Sequence, residues 1–302
     1  MRQNIRREKA TVSGILATIP LAVCFFWCAA RPLSAEEDWP LSMKVACHKD
    51  KYVRFEPVYA IFTISNDSEE AVEFLWPNLR RLGLDLTEQW ADGSRHKPEL
   101  WGAPAINPGW EVRRLEAGQS IRYLMDLRQV YKMVRDDTKY VLKADFDGRI
   151  RRGNEWVKEK MPARTEFAVV DDTDEVADVY GPYFSERMEG PMWPKNYVVG
   201  ALIALEFYPD IAYAEYAYYW IGQVADLAQN QPMAVRSYER QLEKHPDFPL
   251  NERIRVLLIE AKVEAGMMTK EEARGQLRKL LGEFKEIGAI SRAENYLKRI
   301  EE

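Results

Sequence analysis

The residues suited to metal ligation or nucleophilic chemistry are three histidines, His48, His96 and His245, and three cysteines, Cys24, Cys28 and Cys47. Such chemistry needs two or more of these groups at ligand spacing, or a base beside a nucleophile. The histidines fall in three unrelated sequence patterns and offer neither arrangement. Cys47 and His48 are adjacent, and the expectation for Cys47 is a buried strand residue, with an intermolecular bridge or a metal contact beside His48 as the sharper alternative. His245 precedes Pro246, where a donor can meet the free carbonyls of a helix end. Asp171, Asp172, Asp174 and Glu175 could offer oxygens to calcium, but without the alternation and glycine of a calcium loop they read as a solvated charge run. Acyl-transfer, phosphate-loop, dinucleotide and zinc-protease motifs are missing from the chain. The expectation is therefore a protein that is not an enzyme, with no cofactor and no metal.

The 302 residues are enough for two domains. The first 35 stand apart. "MRQNIRREK" is basic, residues 10–30 form an apolar run without a charge, and small residues close it at Ala30 or Ala35. This is the layout of a signal peptide cleaved after Ala35, with an uncleaved membrane anchor as the alternative. The body of the protein is expected outside the cytoplasm, periplasmic or extracellular, touching a membrane only through that leader. The whole chain is net −5; the leader holds five of its basic residues and one acidic, so the remainder carries −9. Such a balance repels a phosphate backbone and argues against nucleic acid.

Residues 36–172 change character every eight to twelve positions, as short strands joined by turns do. In "PVYAIFTIS", Val58, Ala60, Phe62 and Ile64 alternate with Tyr59, Ile61 and Thr63, which is a period of two. "AVEFLW", "LGLDLTEQW", "WEVRRL", "SIRYLMDL", "KYVLKADF" and "TEFAVV" are further predicted strands. Tyr140, after an Asp-Asp-Thr bend and the "LEAGQSI" turn, resembles the tyrosine corner of immunoglobulin-like sandwiches; Leu142 stands where antibody domains carry a cysteine. That resemblance implies a β-sandwich whose tyrosine hydroxyl bonds to the bend. "SNDSEEAVEF" with "LEAGQSI" is also similar to small bacterial proteinase inhibitors built as single sandwiches.

Residues 173–194 read as a linker, and from residue 195 to 302 the period becomes helical. Ala217, Ile221, Val224, Ala225 and Ala228 mark one stripe; Ala234, Tyr238 and Leu242 mark the next; Ile254, Leu257, Leu258 and Ala261 a third. A helix over residues 194–207 is expected to pack on Tyr218 and Trp220. Capping boxes are expected at Thr269 with Glu272 and at Ser291 with Glu294. Pro209-Asp210 recurs thirty-seven residues on as Pro246-Asp247, and Tyr218, Ile221-Gly222, Ala234, Tyr238 and Pro246 fall at the intervals of a tetratricopeptide repeat. The segment resembles the repeats of bacterial cell-envelope lipoproteins, although Ile259 replaces the glycine in the second unit. The fold class is thus an all-β sandwich followed by an all-α hairpin domain.

The resemblance implies a groove lined by Tyr216, Tyr219, Gln223, Asp226 and Leu227, and hence a protein or peptide partner in the cell envelope. The alternative at these positions is packing of the tyrosines against the rest of the chain. A rival function, an exported protease inhibitor or enzyme, would place its active loop in "HKPELWGAPAINPGW" or "GWEVRRL".

Overall fold

The computed structural model describes residues 39–53, 56–76, 82–100, 111–131, 133, 137–170, 205 and 214–302. The expected leader and linker, the helix expected over 194–207 apart from Leu205, the acidic run at 171–175 and the loop at 101–110 lie outside them.

Among the described residues ten strands come first: β1 (Leu41–Cys47), β2 (Lys51–Val53), β3 (Tyr59–Asn66), β4 (Val72–Trp76), β5 (Leu82–Gln89), β6 (Arg95–His96), β7 (Glu111–Leu115), β8 (Ser120–Asp126), β9 (Thr138–Arg152) and β10 (Glu155–Val170). They form a three-stranded sheet in the order β1-β3-β8 and a seven-stranded sheet along β2-β10-β9-β4-β7, with β5 beside β9 and β6 beside β5. All pairings are antiparallel except that of β2 with β10. Phe62 and Ile64 from the small sheet share one hydrophobic cluster with Phe74, Leu142 and Phe146 from the large one. The period-two pattern of β3 is realised, because Ala60, Phe62 and Ile64 enter that cluster while Tyr59 and Ile61 face the other way.

Turn chemistry fixes the strand ends. Asn66 is fully buried, and its amide donates to the carbonyls of Glu70, Leu115 and Glu116 at 2.7–3.1 Å while Ser68 N–H donates to its oxygen. One side chain so ties the β3–β4 turn to the β7–β8 turn. The Tyr140 hydroxyl donates to Glu88 Oε1 at 3.3 Å, across the β5–β9 pair; the bond that the resemblance implies would go to the Asp-Asp-Thr bend. Residues 134–136 of that bend lie outside the described set.

Five α-helices follow among the described residues: α1 (Ala214–Leu227), α2 (Gln231–Lys244), α3 (Asn251–Glu264), α4 (Lys270–Leu281) and α5 (Ile287–Glu301). Asn230 caps α2 by accepting from Met233 N–H, with proline in the first turn, and Thr269 with Glu272 forms the expected capping box on α4. The cap expected at Ser291 is not used. Helix α5 starts four residues earlier, where the Glu286 carboxylate accepts from the N–H groups of Gly288 and Ala289. Ser291 and Glu294 instead meet Arg113 of β7.

The contacts Tyr219 to Gln241, Gln223 to Tyr238 and Asp226 to Gln231 run in opposite senses along the two helices, so α1 and α2 are an antiparallel hairpin. Glycine is required at 222. A Cβ there would lie 2.3 Å from the Tyr238 ring, which is itself fully buried and cannot swing away. Gly222→Ala gains about 1 kcal/mol of helix propensity but overpacks the crossing by about 1–3 kcal/mol. The expected outcome is a lower urea midpoint; a higher one would mean that the helices do not approach this closely.

The helices cover the outer face of the small sheet. Tyr59 and Leu124 share a second cluster with Tyr216, Tyr219, Phe248, Ile254 and Leu257. On the far side of α3, Val256 and Ile259 join Leu277, Ala293 and Leu297 in a third. The backbone of Lys285 adds to the edge of β8, accepting from Arg122 N–H at 2.5 Å. Residues 39–302 accordingly form one compact unit.

Candidate functional site

Where α1 meets the start of the strands, the structure gathers charged groups that lie far apart in sequence. Lys49, just past β1, places its ammonium 2.7 Å from Glu56 Oε1 and 2.5 Å from Glu215 Oε2. His48 Nε2 lies 3.1 Å from the other Glu215 oxygen. Glu56 is 1% exposed and also accepts from Val53 N–H at 2.9 Å and the Tyr216 hydroxyl at 3.0 Å. The Lys49 N–H donates to the Tyr52 hydroxyl. A buried carboxylate survives only when its lone pairs are used this fully.

The electrostatics follow from burial and partners. Burial pushes the Glu56 carboxyl above its usual range, and the Lys49 ammonium opposes this. Burial acts the same way on Glu215, but hydrogen bonds from His48 and Lys49 outweigh it and hold that carboxyl low. Burial works against the charge of Lys49, yet Glu56 and Glu215 together keep its pKa above the ordinary value. The Cys47 thiol, half-buried at the end of β1, is pushed up to about 12 by burial and by Asp50. It is therefore a thiol at neutral pH, not a nucleophile. The cluster acts as an ionic latch that fixes the first turn of α1 on the strands.

The five residues expected to line a groove are separated by this packing. Tyr216 is fully buried, stacked 6.2 Å from Tyr59 and edge-on to Phe248 at 5.5 Å. Tyr219 is buried beside Phe248 and Trp220, and its backbone N–H donates to Gln241 Oε1. Both rings are thus taken up by contacts inside the chain, which removes them from any outer contact surface. Gln223 donates to the Tyr238 hydroxyl at 2.7 Å, and Asp226 accepts from Gln231 at 3.1 Å. Only Leu227 stands well out, at 67% exposure. His245 forms the end of α2, its N–H donating to the Gln241 carbonyl.

An open groove lies instead between α3 and α5. It measures about 670 Å³ and is lined by Arg253, Glu260, Arg292, Asn295, Tyr296 and Arg299, among others. Glu260 holds Arg292 in a two-pronged pair at 2.7 and 2.9 Å, a geometry suited to a guanidinium. Arg299 lies over the Tyr296 ring at 4.6 Å and 3.7 Å from Glu260. Arg253 pairs with the buried Glu286 at 2.9 Å. Sequence reasoning missed both this groove and the latch. Their signal, a carboxylate set among apolar residues, is visible at Glu56 in the β2–β3 connection and at Glu260 in α3 but names no partner.

Among the described residues no three metal-ligating side chains cluster, and no helix is long and apolar enough to cross a membrane. No family model matches the chain, and no curated protein matches it. Among solved structures, the sporulation control protein Spo0M from Bacillus subtilis is similar at 12% identity and a TM-score of 0.25, over 55% of this chain and 56% of that one. The alkylpurine DNA glycosylase AlkC from Pseudomonas fluorescens is similar at 12% identity and a TM-score of 0.17, over 42% of this chain and 31% of that one. This chain thus spans about half of the first and a third of the second, and at such scores neither likeness bears on function.

Proposed function

We propose that the chain is a non-enzymatic, exported scaffold of the cell envelope. An immunoglobulin-like sandwich carries tetratricopeptide-like hairpins that present a groove to a protein or peptide. The helical part of this reading is supported by the close α1–α2 crossing, where Gly222 meets Tyr238 above a fully buried Ala234. Those are the small and aromatic positions on which the repeat resemblance rests.

The observation that carries the function is the groove between α3 and α5. Guanidinium groups each held by a carboxylate, Arg292 and Arg299 by Glu260 and Arg253 by Glu286, suit recognition of a polar chain segment, while the Tyr296 ring beneath Arg299 is itself buried. Tyr216 and Tyr219 are interior, so the contact surface moves from α1 to this groove, while Gln223 and Asp226 stay partly exposed and Leu227 exposed.

Asn295 is exposed on the groove wall and serves as the test position. A photoreactive side chain there is expected to cross-link a protein or peptide in envelope preparations, and Asn295→Trp, which fills the groove, is expected to weaken that partner's binding at least tenfold with an unchanged thermal midpoint. Undiminished binding of the cross-linked partner by Asn295→Trp, or turnover of a substrate by the purified chain, would remove this reading.

A further inference from the structure

Strands β9 and β10 pair without a break from Thr138–Val169 to Arg152–Glu155, closing on a turn in which Gly153 takes a positive φ of 60°. The neighbours stop short of that end. Strand β5 pairs with β9 only as far as Phe146, β4 only at Arg149 and Ile150, and β2 meets β10 only at its last three residues. Among the described residues, no strand therefore pairs with β9 beyond Ile150 or with β10 before Ala168, so the tip projects past its neighbours. Its composition departs from that of the chain. Residues 149–160 hold Arg149, Arg151, Arg152, Lys158 and Lys160 against Glu155 and Glu159, in a protein of net charge −5. Trp156 and Val157 sit among them, each 38% exposed.

Part of this charge has a plain structural use, since lysines and Pro162 keep an unpaired strand edge from recruiting another strand. That use does not call for an exposed indole and a valine at the tip. Arg151 pairs with Glu73 and Lys158 with Asp147, but these pairs are half-exposed, and such pairs are weak and exchange easily. Successive strand residues point to opposite faces, so Trp156 and Val157 can both be covered only by a surface that the tip enters end-on. An indole with an apolar body and one polar N–H, ringed by cations, matches the boundary of an anionic bilayer.

We propose that the β9–β10 tip docks end-on to an anionic lipid surface, Trp156 and Val157 entering the headgroup layer while the arginines and lysines meet the phosphates. The site is separate from the α3–α5 groove and does not depend on its role. Residues 36–302, which hold every described strand and helix, can be sedimented with vesicles of phosphatidylglycerol and phosphatidylcholine or of phosphatidylcholine alone. Binding is expected to the anionic vesicles only, and to be lost in 0.5 M salt on the order of the Debye screening expected at that strength. With about fivefold in affinity per cation near such a surface, the triple change Arg151→Gln, Arg152→Gln and Lys158→Gln is expected to weaken it roughly 100-fold. Trp156→Ala is expected to weaken binding as well, and to abolish the vesicle-induced change in fluorescence, with the thermal midpoint unaltered in both variants. Equal binding to neutral vesicles, no binding, or insensitivity to both variants would overturn the proposal. So would equally tight binding of polyglutamate without dependence on Trp156, which would assign the tip to an acidic protein.

Discussion

Lys49→Ala is expected to lower the unfolding free energy at pH 7 by roughly 3–5 kcal/mol, the cost of leaving a buried charge without its partner. Glu56 is the reason: at 1% exposure it has no access to water, and the 2.7 Å contact with Lys49 is its only ionic one among the described residues. The loss has a definite pH dependence. The fold raises the pKa of Glu56, so its protonated form is favoured; its contribution is greatest below the ordinary value of 4.5 and declines as pH rises through the raised value. Glu215 has the opposite sign, stabilising above 4.5 and ceasing to do so as pH falls through its depressed value. Removing Lys49 drives Glu56 further up and deprives Glu215 of one of the contacts that hold it down. The gap between wild type and variant should therefore narrow as pH falls from 7 towards 4, in urea midpoints measured across that range. A deficit that stays constant with pH would mean that Lys49 acts through packing alone.

Tyr59→Ala should cost about 3–5 kcal/mol, as truncating a buried aromatic does, and the effect should not stay in the sheet. Tyr59 belongs to β3, yet its ring stacks on Tyr216 of α1 and meets Phe248 edge-on at 6.3 Å. Leu124 of β8 adds to the same cluster. Since one cluster takes side chains from both strands and helices, the helical signal at 222 nm and the aromatic signal should fall together, and both midpoints should drop by the same amount in the variant. Helices that melt at their original temperature in Tyr59→Ala would show that they are an independent cooperative unit.

Much of the fold was legible because it rests on short-range rules. The period of two in residues 58–64 set the faces of β3, and Pro232 and the Thr269–Glu272 capping box marked helix starts where the structure has them. The length of the β9–β10 hairpin was not, because the charged tip residues 149–160 lack the apolar alternation that signals a strand. Nor was the start of α5, where Ser291 carried a valid capping pattern but Glu286 satisfied the free N–H groups a turn earlier.

By itself the sequence determined which segments alternate with period two and which with period near four; that Gly222 and Tyr238 meet across α1 and α2 came from the structure. Only the tertiary structure decided which side of α1 is interior. An amphipathic pattern records that a helix has an apolar face, whereas Tyr216 and Tyr219 are amphipathic themselves and their burial depends on Glu56, Tyr59 and Leu124, which the chain brings across from the sheet region more than eighty residues away. The same holds for the latch and the groove, since Coulomb attraction acts on distance in space and sequence spacing does not encode it.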